Sequence, residues 1–132
     1  HQRFLIPKLI ERIQDIHAGQ QTTIEVNRLD ARRDYINIVD VAGAVKALVE
    51  SNPQKKVYNI GSGQSTSNGE LIEIILKNSK LETRPQIIET SPTPEPVIAS
   101  QADISRIKNE IGWEPTYSIE NTVKEIIHAS RH

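Results

Sequence analysis

Apolar residues in this chain switch between two periods along its length, and that switching constrains the fold more than any other feature. Leu9, Ile10, Ile13 and Ile16 recur at helical spacing after Pro7, whose missing N–H is no loss in a first turn, and Gly19 closes the run. The spacing predicts a helix from about Ile6 to Ala18. Thr22–Val26 and Asp34–Val39 are β-branched, partly alternating runs that read as strands. A second helical stripe, Val41, Val45, Leu48 and Val49, follows Asp40, which is placed to cap it, and stops near Asn52-Pro53 because the residue before proline avoids helical dihedrals.

The alternation continues to the end. Val57–Ile60 reads as a short strand leading into Gly61-Ser62-Gly63, and Ser67-Asn68-Gly69-Glu70 has the spacing of a capping box ahead of Leu71, Ile74 and Ile75. Pro85–Glu89 is a further strand; Thr90–Pro96, with three prolines in seven residues, breaks any ladder and is expected as a loop. Asp103 is placed to cap a short helix through Ile104, Ile107 and Ile111, with Gly112 as its left-handed C-cap and Trp113 folding back on the last turn. Ser118 caps a final helix with Ile119, Val123, Ile126 and Ile127 inward. The fold class expected is α/β, mixed helices and short strands without an internal repeat.

Composition narrows the partners. A chain of 132 residues has room for one modest domain that buries roughly two thirds of its unfolded surface. Its 16 basic and 17 acidic residues are dispersed, so there is no electrostatic footprint for nucleic acid or a membrane surface. Without cysteine there is neither a disulfide framework nor thiolate chemistry, as suits a reducing compartment. No apolar run approaches the ~20 residues of a membrane span, and the expected location is the cytoplasm. The chain has no methionine and enters its first helix directly from His1-Gln2-Arg3-Phe4, which reads as an excised, proteolysed or trimmed piece.

Few residues suggest chemistry by spacing. Gly61-Ser62-Gly63 before a helix start admits two readings, an anion cradle or a tight turn whose glycines need positive φ; it is neither a Walker loop nor the Gly-x-Gly-x-x-Gly dinucleotide turn. His1, His17, His128 and His132 show no metal-ligand spacing, so no metal site is expected. Tyr35, Tyr58 and Tyr117 each lack a lysine four positions on.

Arg32-Arg33-Asp34-Tyr35-Ile36-Asn37-Ile38-Val39-Asp40-Val41-Ala42, then Val57-Tyr58-Asn59-Ile60-Gly61-Ser62-Gly63, then Ala102-Asp103-Ile104-Ser105-Arg106 running into Ile111-Gly112-Trp113-Glu114-Pro115 stand in a telling order. Together they resemble the C-terminal, substrate-side part of an NAD-dependent epimerase/dehydratase, an extended short-chain dehydrogenase/reductase that modifies nucleotide-activated sugars. The resemblance spans nearly the whole chain, so residues 1–132 are expected as one substrate-binding lobe. An N-terminal NAD-binding Rossmann domain, with its Gly-rich fingerprint and Tyr-x-x-x-Lys pair, is not represented in the sequence. It implies an isomerase or lyase of carbohydrate metabolism in which NAD transiently oxidises the sugar at C4. NAD would be bound by the intact parent, and no cofactor, catalytic residue or turnover is expected of this chain alone.

The resemblance assigns Arg33 to the pyrophosphate of a nucleotide-diphosphate sugar, a task suited to a planar guanidinium with paired donors. Arg32, one position away on an extended backbone, is expected to point to solvent. The other implied partners are the absent Rossmann domain and a second copy in a homodimer. The chain departs from the family at Asn37 and Val39, and Ser91–Pro96 holds no second arginine for the phosphates. A non-catalytic α/β binding module, or an RNA-associated relative of the same fold, is the alternative that this departure favours.

Overall fold

The structure, a computed structural model, describes residues 4–53, 57–91 and 99–130. Its elements in chain order are α1 (Leu5–His17), β1 (Thr23–Val26), β2 (Arg32–Arg33), α2 (Ile38–Ser51), β3 (Thr66–Ser67), α3 (Asn68–Ser79), β4 (Gln86–Glu89), α4 (Ser105–Ile111) and α5 (Ile119–Ala129). The chain divides into two compact units. Unit 1 comprises 1–31, 67–97 and 123–132, and unit 2 comprises 32–66 and 98–122.

Unit 1 is built on burial. β1 and β4 pair in parallel, Thr23 with Gln86 through Val26 with Glu89, and β1 turns Ile24 and Val26 inward while Glu25 stays exposed. Leu9, Ile10 and Ile13 of α1 and Leu71, Ile72 and Ile75 of α3 are closed to water, as are Val123 and Ile127 of α5. α3 starts as its sequence predicts: Ser67 Oγ accepts from Glu70 N at 3.1 Å, and Glu70 Oε2 accepts from Ser67 N at 2.7 Å. It ends on Lys80 in the left-handed region, φ 57°.

Unit 2 is built on polar ties. Ala44 of α2 and Ile107 of α4 are its buried apolar side chains among the described residues, and Asn37 and Asp40 are buried beside them. β2 pairs with β3, and Arg32 bridges Ala99 in parallel. α2 does not begin at Asp40 as expected. Asn37 is its N-cap, accepting from Val39 N at 2.9 Å and donating through Nδ2 to Thr122 Oγ1 at 3.1 Å. An asparagine satisfies an N-terminal amide as well as an aspartate does, and Asp40 is drawn to other donors. The strand expected over Asp34–Val39 is not formed: the extended pairing lies just before it, at Arg32–Arg33, and Ile38 and Val39 belong to α2.

Val57–Ile60, also expected as a strand, makes no ladder among the described residues. Side chains hold it instead: Arg106 Nη1 donates to Val57 O at 2.9 Å, Asn59 Nδ2 to Asp103 O at 3.2 Å and Tyr58 OH to Glu110 Oε2 at 2.7 Å. Asp103 does not stand at the N-cap of α4, which is Ile104, yet its Oδ1 accepts from Ser105 N at 2.9 Å and so serves the same end. Gly112 and Ser118 act as expected, the first as a left-handed C-cap and the second accepting from Asn121 N at 3.1 Å. Trp113 lies against α2, where a methyl placed on Gly43 would stand 3.7 Å from the indole Nε1. Most of the Thr90–Pro96 loop, and with it the position of the missing second arginine, lies outside the described residues.

Candidate functional site

Two adjacent arginines on β2 have opposite fates. Arg32 is half-buried, its Nε donating to Ser65 Oγ at 3.1 Å and its Nη2 to Ser65 O at 2.7 Å, so the expectation that it points to solvent is wrong. The Ser65 segment offers it two acceptors, which outweigh hydration of the guanidinium. Arg33 is the exposed one, with Nη1 donating to Arg32 O at 2.9 Å. Alternation along the extended backbone separates the two side chains as the sequence implies.

Tyr35 shares Arg33's side of the chain by the same alternation. Burial raises its hydroxyl above the ordinary tyrosine value, opposed by the nearby Arg33 guanidinium. Tyr35 lines a cavity of about 210 Å³ with Ser62, Gln64, Thr66, Thr116 and Tyr117. Its described walls are rich in hydroxyls and hold no carboxylate, so they can exchange hydrogen bonds with a hydroxylated ligand without repelling a phosphate. Among the residues described, no group of acidic, histidine or cysteine side chains could hold a metal ion.

Asp34, between the two, faces the other way and explains the glycine loop. Its Oδ1 accepts from Ser62 N at 2.8 Å and Ser62 Oγ at 2.6 Å, and its Oδ2 from Gly63 N at 3.1 Å and Ala102 N at 3.0 Å. Burial disfavours the charged form, but the Ser62 hydroxyl and the amides of Ala102, Ser62 and Gly63 outweigh it and hold the carboxyl below its ordinary value. The amides a phosphate cradle would need are thus already bonded to a carboxylate, which decides between the two readings of Gly61-Ser62-Gly63. The glycines serve different needs. Gly63 has φ 71°, whereas Gly61 is needed for close approach, since a Cβ there would sit 2.9 Å from Asp34 Oδ2 and collide with the Ala102 side chain. Positive φ alone does not account for both.

Asp40 is a second latch. Its Oδ1 accepts from Thr116 N at 3.0 Å and Thr116 Oγ1 at 2.8 Å, and its Oδ2 from Tyr117 N at 2.9 Å. Burial again opposes ionisation, but the Thr116 and Tyr117 amides and the Thr116 hydroxyl lower the carboxyl below its ordinary value. The two latches position the Tyr35, Ser62, Thr116 and Tyr117 walls of the cavity. Sequence reasoning gave neither carboxylate this role. The available signal was an aspartate next to a short extended run, followed later by a glycine loop with free amides.

The other candidates lie elsewhere. His17 Nε2 is 2.9 Å from Ser79 O in unit 1, His128 is exposed on α5, and His1 and His132 lie outside the described residues. Asp30 is held by Arg28, whose Nε donates to its Oδ1 at 2.8 Å.

Residues 1–126 match the family model described as GDP-mannose 4,6 dehydratase. The chain is 30% identical over 106 residues to the dTDP-4-dehydro-6-deoxyglucose reductase of Escherichia coli, covering 80% of this chain and 33% of that protein. It is 26% identical over 132 residues to the GDP-6-deoxy-D-mannose reductase of Pseudomonas aeruginosa, covering 94% of this chain and 41% of the relative. The structure of RMD from Pseudomonas aeruginosa complexed with NADPH superposes with a TM-score of 0.83 at 26% identity, over 100% of this chain and 44% of that one. A UDP-glucose 4-epimerase of Thermotoga maritima solved with UDP-glucose gives 0.75 at 25% identity, over 97% of this chain and 39% of that one. The relatives are nucleotide-sugar reductases and epimerases, and this chain spans well under half of their length.

Proposed function

The chain belongs to the GDP-mannose 4,6-dehydratase family, within the NAD-dependent epimerases and dehydratases of extended Rossmann type, and on that ground we propose that it forms the substrate-side lobe of an enzyme acting on nucleotide-diphosphate sugars. Arg33 holds the pyrophosphate, and the hydroxyl-lined cavity beside it takes a hydroxylated ring of the same ligand. The observation that carries this reading is the pairing of an exposed Arg33 with Tyr35 at the edge of a polar cavity of about 210 Å³. A guanidinium there presents paired donors to phosphate oxygens and keeps its charge at any working pH.

The described residues of this chain do not fit a dinucleotide. The glycine loop spends its amides on Asp34, and α3 closes its own N-terminus with the Ser67–Glu70 capping box. Sugar C4 oxidation by NAD, implied by the family, draws no step from these residues. The cofactor falls to a Rossmann unit in the length by which the relatives exceed this chain. We assign to that unit the apolar stripe of α2: Ile38, Val45 and Val49 share one helix face and are 76%, 50% and 78% exposed. Helices that cover a parallel sheet carry such stripes.

The test is titration of UDP-glucose and GDP-mannose into the enzyme containing this lobe, at fixed salt, with Arg33→Ala and Arg33→Lys. Arg33→Ala should weaken binding by roughly 1.5 to 3 kcal/mol, about tenfold to somewhat over a hundredfold, and lysine should restore only part. Unchanged affinity in Arg33→Ala would return Arg33 to an ordinary surface role. Arg32→Ala is a poor control, because it also removes the bonds to Ser65.

A further inference from the structure

Unit 1 contains a second concavity with a different chemistry. It is a groove of about 620 Å³, within the range of small-molecule sites, lined where α1, α3 and α5 end. Ile10, Ile13, Ile75 and Ile127 form its floor. The rim belongs to the helix ends, whose carbonyls ordinarily carry partial negative charge. Here those carbonyls are engaged: His17 Nε2 lies 2.9 Å from Ser79 O, and Gln14 Nε2 donates to Ser130 O at 2.9 Å. The serine hydroxyls donate one turn back, Ser79 Oγ to Leu76 O and Ser130 Oγ to Ile127 O, both at 2.9 Å.

Among the described residues no acidic side chain lines the groove, and Lys80 supplies its lysine ammonium. The left-handed C-cap of α3 sets that lysine at the rim. We propose that this groove binds a free single-chain aliphatic carboxylate, its chain along the isoleucine floor and its head on Lys80. The complementarity is an apolar body against four isoleucines and one negative charge against one positive. A phosphate-rich ligand finds no arginine among the described lining residues, and a bilayer surface does not fit a concave site. The inference is independent of the nucleotide-sugar reading, whose residues all lie in unit 2.

The test is NMR titration of the isotope-labelled chain with decanoate, octanoate, decanol and decyltrimethylammonium, each below its micelle concentration, following the amides of His17, Ala18, Lys80 and Ser130. Decanoate should give saturable shifts confined to these amides. Decanol should bind roughly two- to fivefold more weakly, the usual worth of an exposed ion pair, and the ammonium more weakly still. Octanoate, two methylenes shorter, should lose up to about fifteenfold. Lys80→Gln should bring decanoate to the level of decanol, and Lys80→Glu should reverse the preference toward the ammonium. Ala18→Phe, filling the groove from an exposed position, should abolish binding of all four while far-UV circular dichroism stays unchanged. The proposal is overturned by an absence of saturable shifts at these amides, by equal affinity for carboxylate and ammonium, by shifts centred on the α2 stripe, or by a preference that survives Lys80→Glu.

Discussion

Unit 1 and unit 2 use different means of staying folded. Ten buried apolar side chains belong to unit 1, from Leu9 to Ile127, whereas unit 2 has only Ala44 and Ile107 among the described residues. Unit 2 places Asp34 and Asp40 where amides and hydroxyls converge, and it leaves the apolar stripe of α2 in water. Burial is non-directional and needs only the right side chains on the right face, while a carboxylate latch needs donors at fixed positions from distant segments. The unit with the sparse core carries Arg33 and the polar cavity, so precision of placement there stands in for bulk of packing.

The strongest challenge to this contrast is to hollow out unit 1. Leu71→Ala, at a fully buried position, should cost about 3 to 4 kcal/mol, seen as a lower denaturant midpoint in far-UV circular dichroism. A loss under 1 kcal/mol would mean that unit 1 is loosely packed. Asp34→Ala should cost about 2 to 3 kcal/mol by leaving the Ser62, Gly63 and Ala102 amides without their acceptor. Trp113 and all three tyrosines lie in unit 2, so fluorescence should register this change ahead of the far-UV signal. Coincident transitions would show that the latch supports both units alike.

Acid sharpens the comparison without mutation. Asp34 and Asp40 have folded-state values below the ordinary one, so their contribution is present above about pH 4, the unfolded value, and is lost as pH falls through the folded values. Amide exchange at Ser62, Gly63, Ala102, Thr116 and Tyr117 should therefore accelerate below pH 4 before the amides of β1 and β4. If β1 and β4 open first, unit 1 is the weaker half. The smallest effect is expected on the α2 stripe. Val49→Lys, at a position 78% exposed, should change stability by no more than about 0.5 kcal/mol yet reduce self-association in sedimentation at high concentration. A large loss of stability would mean that the stripe is already covered.

What the sequence revealed follows from how far apart the interacting residues lie. The Ser67–Glu70 box, the Ser118 cap and Gly112 depend on neighbours within a few positions, and each was legible; β1 and β4 were legible from their β-branched runs, although their pairing with each other was not. The start of α2 was not, because Asn37 and Asp40 both qualify as caps locally. The choice is made by Thr116, 76 positions beyond Asp40. Asp34 likewise meets Ser62 and Ala102 at separations of 28 and 68. Alternation correctly separated Arg32 from Arg33, but it placed Arg32 in solvent, and the fate of Arg32 waited on Ser65, 33 positions away. The strand expected at Val57–Ile60 has the right side chains, yet a strand exists only with a partner, and none pairs with it among the described residues.

The parallel pairing of β1 with β4 has a consequence for the order in which the molecule is made. Thr23 meets Gln86 only after the whole first segment of unit 2 has been synthesised, and the Val123 and Ile127 positions of the same core emerge later still. A nascent chain that has passed β1 therefore holds α1 with its isoleucine face uncovered until α3 and β4 have emerged. Contacts so far apart in sequence place a large loop-closure cost before the reward of burial. The core of unit 1 is thus completed only when Val123 and Ile127 emerge, and the interval before that leaves its apolar faces open to misassociation.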